Sequence, residues 1–199
     1  MKANKSQRRL GKIFVICGPS GSGKTTLLAS LIKDKKIGKL LVKSCSITTR
    51  PERSGEKDKV EYFFVSAIEF KYLLKAKKIL EWTRYLGYYY GTPKGPLERQ
   101  FNDGKHVGLC LDLKGARILK KLYPNNTVTI FILPPSLAEL KSRIENRCSQ
   151  TNKNEVARRI RLARGELLAA KEFDYSVLNQ NLQVALRELK DIFLHEINA

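Results

Sequence analysis

Residues 18–26 read Gly-Pro-Ser-Gly-Ser-Gly-Lys-Thr-Thr, so that Gly18, Gly23, Lys24 and Thr25 fit G-x-x-x-x-G-K-[ST]. Each residue type has a physical task in that pattern. Glycines let the backbone curl until successive N–H groups point inward at phosphate oxygens, and the curl here runs through Gly18, Pro19, Ser20, Gly21, Ser22 and Gly23. The following helix adds its positive N-terminal end. Lys24 has the reach for β- and γ-phosphates, and the hydroxyl of Thr25, beside Thr26, is of the kind that ligates Mg²⁺. With glycine at ~7 % of residues in general, a chance match in a chain of this length is expected roughly once in a hundred. The motif therefore predicts binding of ATP or GTP. It says nothing of the reaction.

A second candidate lies at Ser46–Glu56, SITTRPERSGE, where Arg50 and Arg53 stand close together before Gly55. Two converging guanidiniums can hold a second phosphate bidentately. A solvated basic loop is the plainer reading of the pair taken alone.

The elements around these residues alternate. Lys12–Cys17 is a continuous β-branched and aromatic run ended by glycine, which predicts a buried strand, and Thr25–Lys33 predicts the helix after it. Tyr62–Val65 and Tyr88–Tyr90 read as strands in a turn-rich middle section, with helical spacing over Ile68–Lys77 between them. Val107–Leu111 and Thr127–Leu133 read as further buried strands, each followed by helical periodicity. Leu137–Arg147 and Asn154–Lys171 predict basic helices joined by Cys148–Lys153, then a strand at Tyr175–Leu178 and an amphipathic helix at Leu182–Ile197. Strands alternating with helices imply an α/β fold, a parallel sheet with helices on its faces. The stretch from about Ser44 to Pro96 breaks the rhythm and reads as an inserted subdomain.

Composition narrows the class. At 199 residues the chain predicts one domain with insertions or at most two small ones, and 42 % hydrophobic with 29 % charged residues is a globular balance. Its longest apolar runs, Ile13–Cys17 and Val128–Leu133, fall far short of the ~18 residues of a membrane span. The start, MKANKSQRRLGK, is basic without an apolar core behind it, so neither a secretory leader nor a membrane anchor is expected. Four cysteines without a C-x-x-C pair, and two isolated histidines, fit reduced thiols in a cytoplasmic protein better than zinc or disulfides. The formal charge of +19 suits a polyanionic partner: nucleotide, nucleic acid or anionic lipid. Much of it sits in the N-terminal arm, more often a solvated tail than a binding element, so no nucleic acid is expected.

Beyond the phosphate motif, the chain carries SITTRPERSGE, VEYFFVS, LEW at Leu80–Trp82, YYYGT at Tyr88–Thr92, LDLKG at Leu111–Gly115, FILPPS at Phe131–Ser136 and FDYSVLN at Phe173–Asn179. In this order and spacing they resemble the guanylate kinase family from Gly11 to about Phe193. The resemblance implies a Mg²⁺-dependent transfer from ATP to GMP, dGMP being a further expected acceptor, on a P-loop core flanked by helices. It divides the chain into a disordered arm at 1–11, a core at 12–43, 98–136 and 166–199, a mixed α/β GMP-binding subdomain at 44–97 and a helical lid at 137–165. It implies that Arg50, Arg53, Tyr62 and Tyr90 hold the GMP phosphate. Ser46, Glu81, Thr92 and Asp112, with Gly91 beside them, would read the guanine. Arg143, Arg147 and an arginine near 159 would close over the ATP phosphates, and Asn179 would lie near the adenine. Counting forward from Arg147 selects Arg158, and counting back from Ala163 and Glu166 selects Arg159, which we take. Cys110 stands where the family usually has the first Asp of D-x-D. Three rivals compete: a guanylate-kinase-like interaction domain, which typically lacks the phosphate loop intact here; another P-loop kinase with a different acceptor; and a nucleic-acid binder. The state of assembly is not legible.

Overall fold

The five residues IFVIC of Ile13–Cys17 are all buried, and they form the central strand of a five-stranded parallel sheet. The structure is a computed structural model that describes residues 10–53, 55–146 and 153–199. In chain order the strands are β1 (Ile13–Cys17), β2 (Leu41–Lys43), β3 (Ser46–Thr48), β4 (Tyr62–Phe64), β5 (Ile79–Tyr85), β6 (Tyr88–Pro93), β7 (His106–Cys110), β8 (Thr127–Leu133) and β9 (Tyr175–Leu178). The helices are α1 (Lys24–Ile32), α2 (Ala67–Lys75), α3 (Lys94–Asn102), α4 (Leu113–Leu122), α5 (Leu137–Asn146), α6 (Lys153–Leu168) and α7 (Leu182–Asn198).

The first sheet has the order β2-β7-β1-β8-β9. Side chains alternate across it, as the period of two requires. Phe14 and Ile16 pack with Leu27, Leu28 and Leu31 of α1 and Leu189 and Phe193 of α7. Ile13 and Val15 point the other way, into a core with Leu97 and Phe101 of α3 and Ala116 and Leu119 of α4. Both faces are thus covered by helices, which is why the strands read as unbroken apolar runs. Because all pairings are parallel, the carboxyl ends of β1, β7, β8 and β9 share one edge. Gly18, Leu111–Asp112, Pro134 and Asn179 therefore leave the sheet side by side, although up to 161 positions separate them in the chain.

The second sheet, β4-β3-β6-β5, is mixed and drawn wholly from residues 46–93. Its β5–β6 hairpin turns on Leu86 (φ 51°) and Gly87 (φ 92°), two left-handed residues as a tight hairpin demands. Phe70 of α2, fully buried, stacks on Tyr89 with ring centroids 5.3 Å apart.

Four elements were not expected from the sequence. β2 and β3 are three residues each, too short to show a period. β5 hides because its buried position is Glu81, which reads as polar. α3 begins Lys-Gly-Pro, a turn signal in sequence, yet proline in a first helical turn removes only an N–H that has no helical partner. The second basic helix ends at Leu168 rather than Lys171, the chain tightening into a 3₁₀ turn at Ala169–Glu172. The arm expected at 1–11 is corrected at Gly11: its N–H donates to the Phe101 carbonyl at 2.9 Å, and a Cβ there would lie 1.9 Å from the Lys105 carbonyl oxygen. Gly11 is part of the core.

Candidate functional site

A cavity of about 760 Å³ opens between the two sheets, and most residues singled out by chemistry line it. At one end the turn after β1 curls as expected, with Gly18, Gly21 and Gly23 at φ 134°, 90° and 96°. Closeness as well as conformation demands glycine here. A Cβ on Gly18 would lie 2.5 Å from the Ile132 carbonyl oxygen, and one on Gly23 2.2 Å from Asn179 Nδ2. No side chain caps α1 and no acidic residue occupies its first turn, so its N-terminal N–H groups face the cavity as an anion site. Lys24 folds over the loop, its Nζ donating to the carbonyls of Gly18 at 2.6 Å and Pro19 at 2.8 Å. Thr25 and Thr26 line the cavity, whereas Ser22 is fully buried beneath the loop.

The opposite wall belongs to the second sheet. Arg50 is only 7 % exposed, and its Nη2 donates to both carboxylate oxygens of Glu56, at 2.9 and 2.8 Å. Glu56 Oε2 also accepts from the Arg53 backbone N–H at 3.1 Å. One carboxylate thus shapes the turn carrying both arginines. The Arg50 guanidinium lies 5.5 Å from the Tyr62 ring centre, and Tyr62 meets Tyr90 edge-on at 6.0 Å. Burial pushes the Tyr62 hydroxyl up to about 12, which keeps it a neutral donor. Arg50, Arg53, Tyr62 and Tyr90 all line the cavity. Glu56→Gln is expected to raise the KM of the substrate whose phosphate this pocket holds about 10-fold, with the KM of the phosphate-loop ligand unchanged, since hydrogen bonds to a charged group carry about 1.5–3 kcal/mol. Steady-state kinetics checks this, and an unchanged KM would show that Arg50 needs no such support.

Beside this pocket, the pairing of Glu81 with Thr92 across the β5–β6 hairpin lets Thr92 Oγ1 donate to Glu81 Oε1 at 2.5 Å. Glu81 is 4 % exposed. Burial pushes its carboxyl up to about 7, opposed by the Thr92 hydrogen bond and reinforced by the charge of Asp112. Asp112 lines the cavity and caps α4, one carboxylate oxygen accepting from the Gly115 N–H at 2.8 Å. A Cβ on Gly115 would lie 2.8 Å from Glu81 Oε2, so this glycine gives the carboxylate its room. Ser46 and Gly91 complete this corner; Thr92 is fully buried behind Glu81 and touches the cavity only through it.

Over the loop lie α5 and α6. Arg159, 8 % exposed, donates from Nη1 to Ser20 Oγ at 3.1 Å, and its Nε and Nη2 pair with Glu155. Arg158 is exposed on the neighbouring face, although it too borders the cavity. Arg143 donates to the Asn179 carbonyl at 3.2 Å and pairs with Glu139. Arg147 lies outside the described residues. Arg159→Ala is expected to lower kcat about 10²–10³-fold, the scale of one lost transition-state donor, while Arg158→Ala, which removes a solvent-exposed guanidinium, is expected to lower it far less. The reverse order, measured at saturating substrate, would move the role to Arg158.

Asn179 packs against the phosphate loop. Its Nδ2 donates to the Ser22 carbonyl at 2.8 Å, it is 5 % exposed, and it does not line the cavity. It braces the loop from behind. Pro19 likewise faces away from the cavity and contributes its carbonyl to Lys24.

Several lining residues escaped the sequence reading. Tyr85 of β5 reaches the loop from the other sheet; burial pushes its hydroxyl up to about 12, with the charge of Glu166 adding and Arg159 and Ser20 opposing. Glu155 and Glu166 project from α6 beside Arg159. Nothing in the local sequence of Glu155 distinguishes it from a solvated charged face; Glu166 entered the sequence reading only as a mark for counting back to Arg159, and the i, i+7 spacing between the two hints at a shared side.

Comparison with known proteins agrees with this geometry. A family model described as guanylate kinase matches residues 10–196. The guanylate kinase of Thermosynechococcus vestitus is 44 % identical over 180 residues, 90 % of this chain and 92 % of that protein. The guanylate kinase of Thermotoga maritima is 41 % identical over 186 residues, 94 % of this chain and 87 % of its own. A crystal structure of guanylate kinase from Anaplasma phagocytophilum matches with a TM-score of 0.76 at 29 % identity, covering 96 % of this chain and 89 % of that one. The α/β architecture is thus that of a P-loop nucleotide kinase. A match so nearly complete, on a chain whose phosphate loop is intact, has one meaning: this protein belongs to the guanylate kinase family.

Proposed function

We infer that this chain transfers the γ-phosphoryl group of ATP to GMP, giving ADP and GDP. The observation that carries the reading is one cavity with a backbone-amide anion site at one end and, at the other, paired arginines beside a buried carboxylate. Guanine presents N1–H and N2–H₂ donors on one edge, which a carboxylate complements; adenine lacks the N1–H and would leave Glu81 unpaired. Ser46, Glu81 and Asp112 are the base-reading set, with Thr92 acting through the hydrogen bond that holds Glu81, and Arg50, Arg53, Tyr62 and Tyr90 hold the monophosphate.

The acceptor needs no general base, because the second pKa of a phosphate monoester is about 6 and its oxygen is already ionised at neutral pH. No histidine lines the cavity among the described residues. The residues' work is alignment and charge neutralisation. Lys24 and the α1 N–H groups hold the donor phosphates, and Arg159 and Arg143 approach from above. The hydroxyl oxygen of Thr25, on the cavity wall at the phosphate-loop end, fits a hard cation and would ligate Mg²⁺. When bound, the ion supplies charge neutralisation on the β- and γ-phosphate oxygens. The segments 44–97 and 137–165 act as the GMP-binding subdomain and lid, closing on the core to exclude water.

Among the described residues no helix is long and apolar enough to cross a membrane, and Cys17, Cys45 and Cys110 are free thiols; we place the enzyme in the cytoplasm. The deciding experiment is ADP release with ATP and Mg²⁺ across GMP, dGMP, AMP, UMP and CMP. Turnover is expected with GMP and dGMP, and AMP should be about 10⁴-fold poorer in kcat/KM. Equal use of GMP and AMP would end the guanine reading.

A further inference from the structure

Among the described residues, two buried side-chain atoms lack a hydrogen-bond partner: Ser22 Oγ, under the phosphate loop, and Glu166 Oε2. The second is harder to understand as packing. Glu166 lines the nucleotide cavity on the face of α6 that also carries Arg159 and the buried Ala163. It lies within the field of Lys24, which favours its charge, and of Asp112, which opposes it; burial, the largest influence, raises its pKa. A second carboxylate joins Asp112 around the lysine that receives phosphates.

For a triphosphate alone this arrangement is adverse, since like charges in a shielded cavity repel. It becomes favourable when the phosphates arrive with a cation whose bound waters can donate to the carboxylate that lines the cavity. Divalent magnesium keeps several waters when it binds phosphates, and such waters are strong donors. Position 110, also lining the cavity, supplies no charge: burial holds the Cys110 thiol up at about 11.

We propose that Glu166 is the positioning residue that accepts hydrogen bonds from the water shell of the Mg²⁺ entering with ATP. It orients those waters, and through them the donor phosphates, without touching the reacting atoms. This rests on the reading of the cavity as an MgATP and GMP site.

The test is calorimetric binding of a non-hydrolysable ATP analogue, with Mg²⁺ and with EDTA, to wild type, Glu166→Gln and Glu166→Asp. In Glu166→Gln the affinity gained from Mg²⁺ is expected to shrink at least about 10-fold, the scale of a lost charge-assisted hydrogen bond. Its metal-free affinity should be equal or higher, because a repelling charge has gone. Glu166→Asp keeps the charge and should retain a clearly larger Mg²⁺ gain than Glu166→Gln. Equal losses with and without metal would instead make Glu166 a support for Lys24, and no change in either would leave it without a role. A Glu166→Asp gain no better than that of Glu166→Gln also overturns the assignment. Failure of the underlying reading looks different: wild type itself would then bind no analogue, or would leave GMP unphosphorylated in the coupled assay.

Discussion

Lys24→Ala abolishes turnover: kcat for GMP phosphorylation is expected to fall about 10⁴-fold, within the range by which a single cation on a transferring phosphoryl group changes rate. The physical reason lies in where the ammonium is anchored. Its bonds to the Gly18 and Pro19 carbonyls, at 2.6 and 2.8 Å, hold the charge directly above the curled loop. From there a short swing brings it to incoming phosphates. The loop's other contributions are backbone N–H groups, which bind phosphate in ground and transition states alike. Removing Lys24 should therefore lower kcat more than it raises the KM for ATP. GMP binding, at the other end of the cavity, should be untouched. A variant that phosphorylates GMP within about 10-fold of wild type would contradict the donor-site assignment, since that is less than one lost transition-state donor costs.

Glu81→Ala carries the second large effect, on selectivity. The carboxylate is held by Thr92 and stands in a corner that Gly115 leaves open. Without it, kcat/KM for GMP should drop about 10³–10⁴-fold while that for AMP changes little, since buried polar complementarity is worth about 10⁴–10⁵ in discrimination. The KM for ATP should not move. Its pH dependence supplies an independent signature. With the free carboxyl at about 7, only a small fraction is ionised at pH 6 and most is at pH 8. The ionised form is the one that accepts from guanine, so GMP affinity is expected to rise about 10-fold across that interval. Ionisation of the GMP phosphate contributes about 2-fold of its own, and Glu81→Gln should retain only that remainder. For the empty protein the sign is opposite. A carboxyl whose folded pKa is raised contributes stability below its unfolded value of 4.5, and this is lost as pH rises through about 7. A GMP affinity that is flat with pH in wild type would rule out a carboxylate acceptor at the base.

Arg159 illustrates how the two kinds of information meet. Counting along the chain leaves Arg158 and Arg159 level, because adjacent helical residues differ only in which way they face. Packing of Val156 and Ala163 against Leu140 and Ile144 settles the rotation of α6, and with it which guanidinium meets Ser20. Glu56 and Glu166 are comparable cases: an acidic residue has the same local appearance whether it is solvated, holds a buried guanidinium or lines a cavity.

What the sequence determined by itself is local chemistry. Nine contiguous residues specify the phosphate loop, because left-handed backbone and a helix start are properties of neighbours in the chain. The unbroken apolar runs likewise announce a parallel sheet covered on both faces. What only the tertiary structure decided is which distant residues share the cavity: that Tyr85 reaches the loop, that Asn179 braces it from behind, that Glu81 faces inward. Those outcomes depend on strand register, helix rotation and the common edge that parallel pairing creates. A one-residue slip in register or a 100° turn of a helix would reverse each of them while leaving the motifs themselves intact.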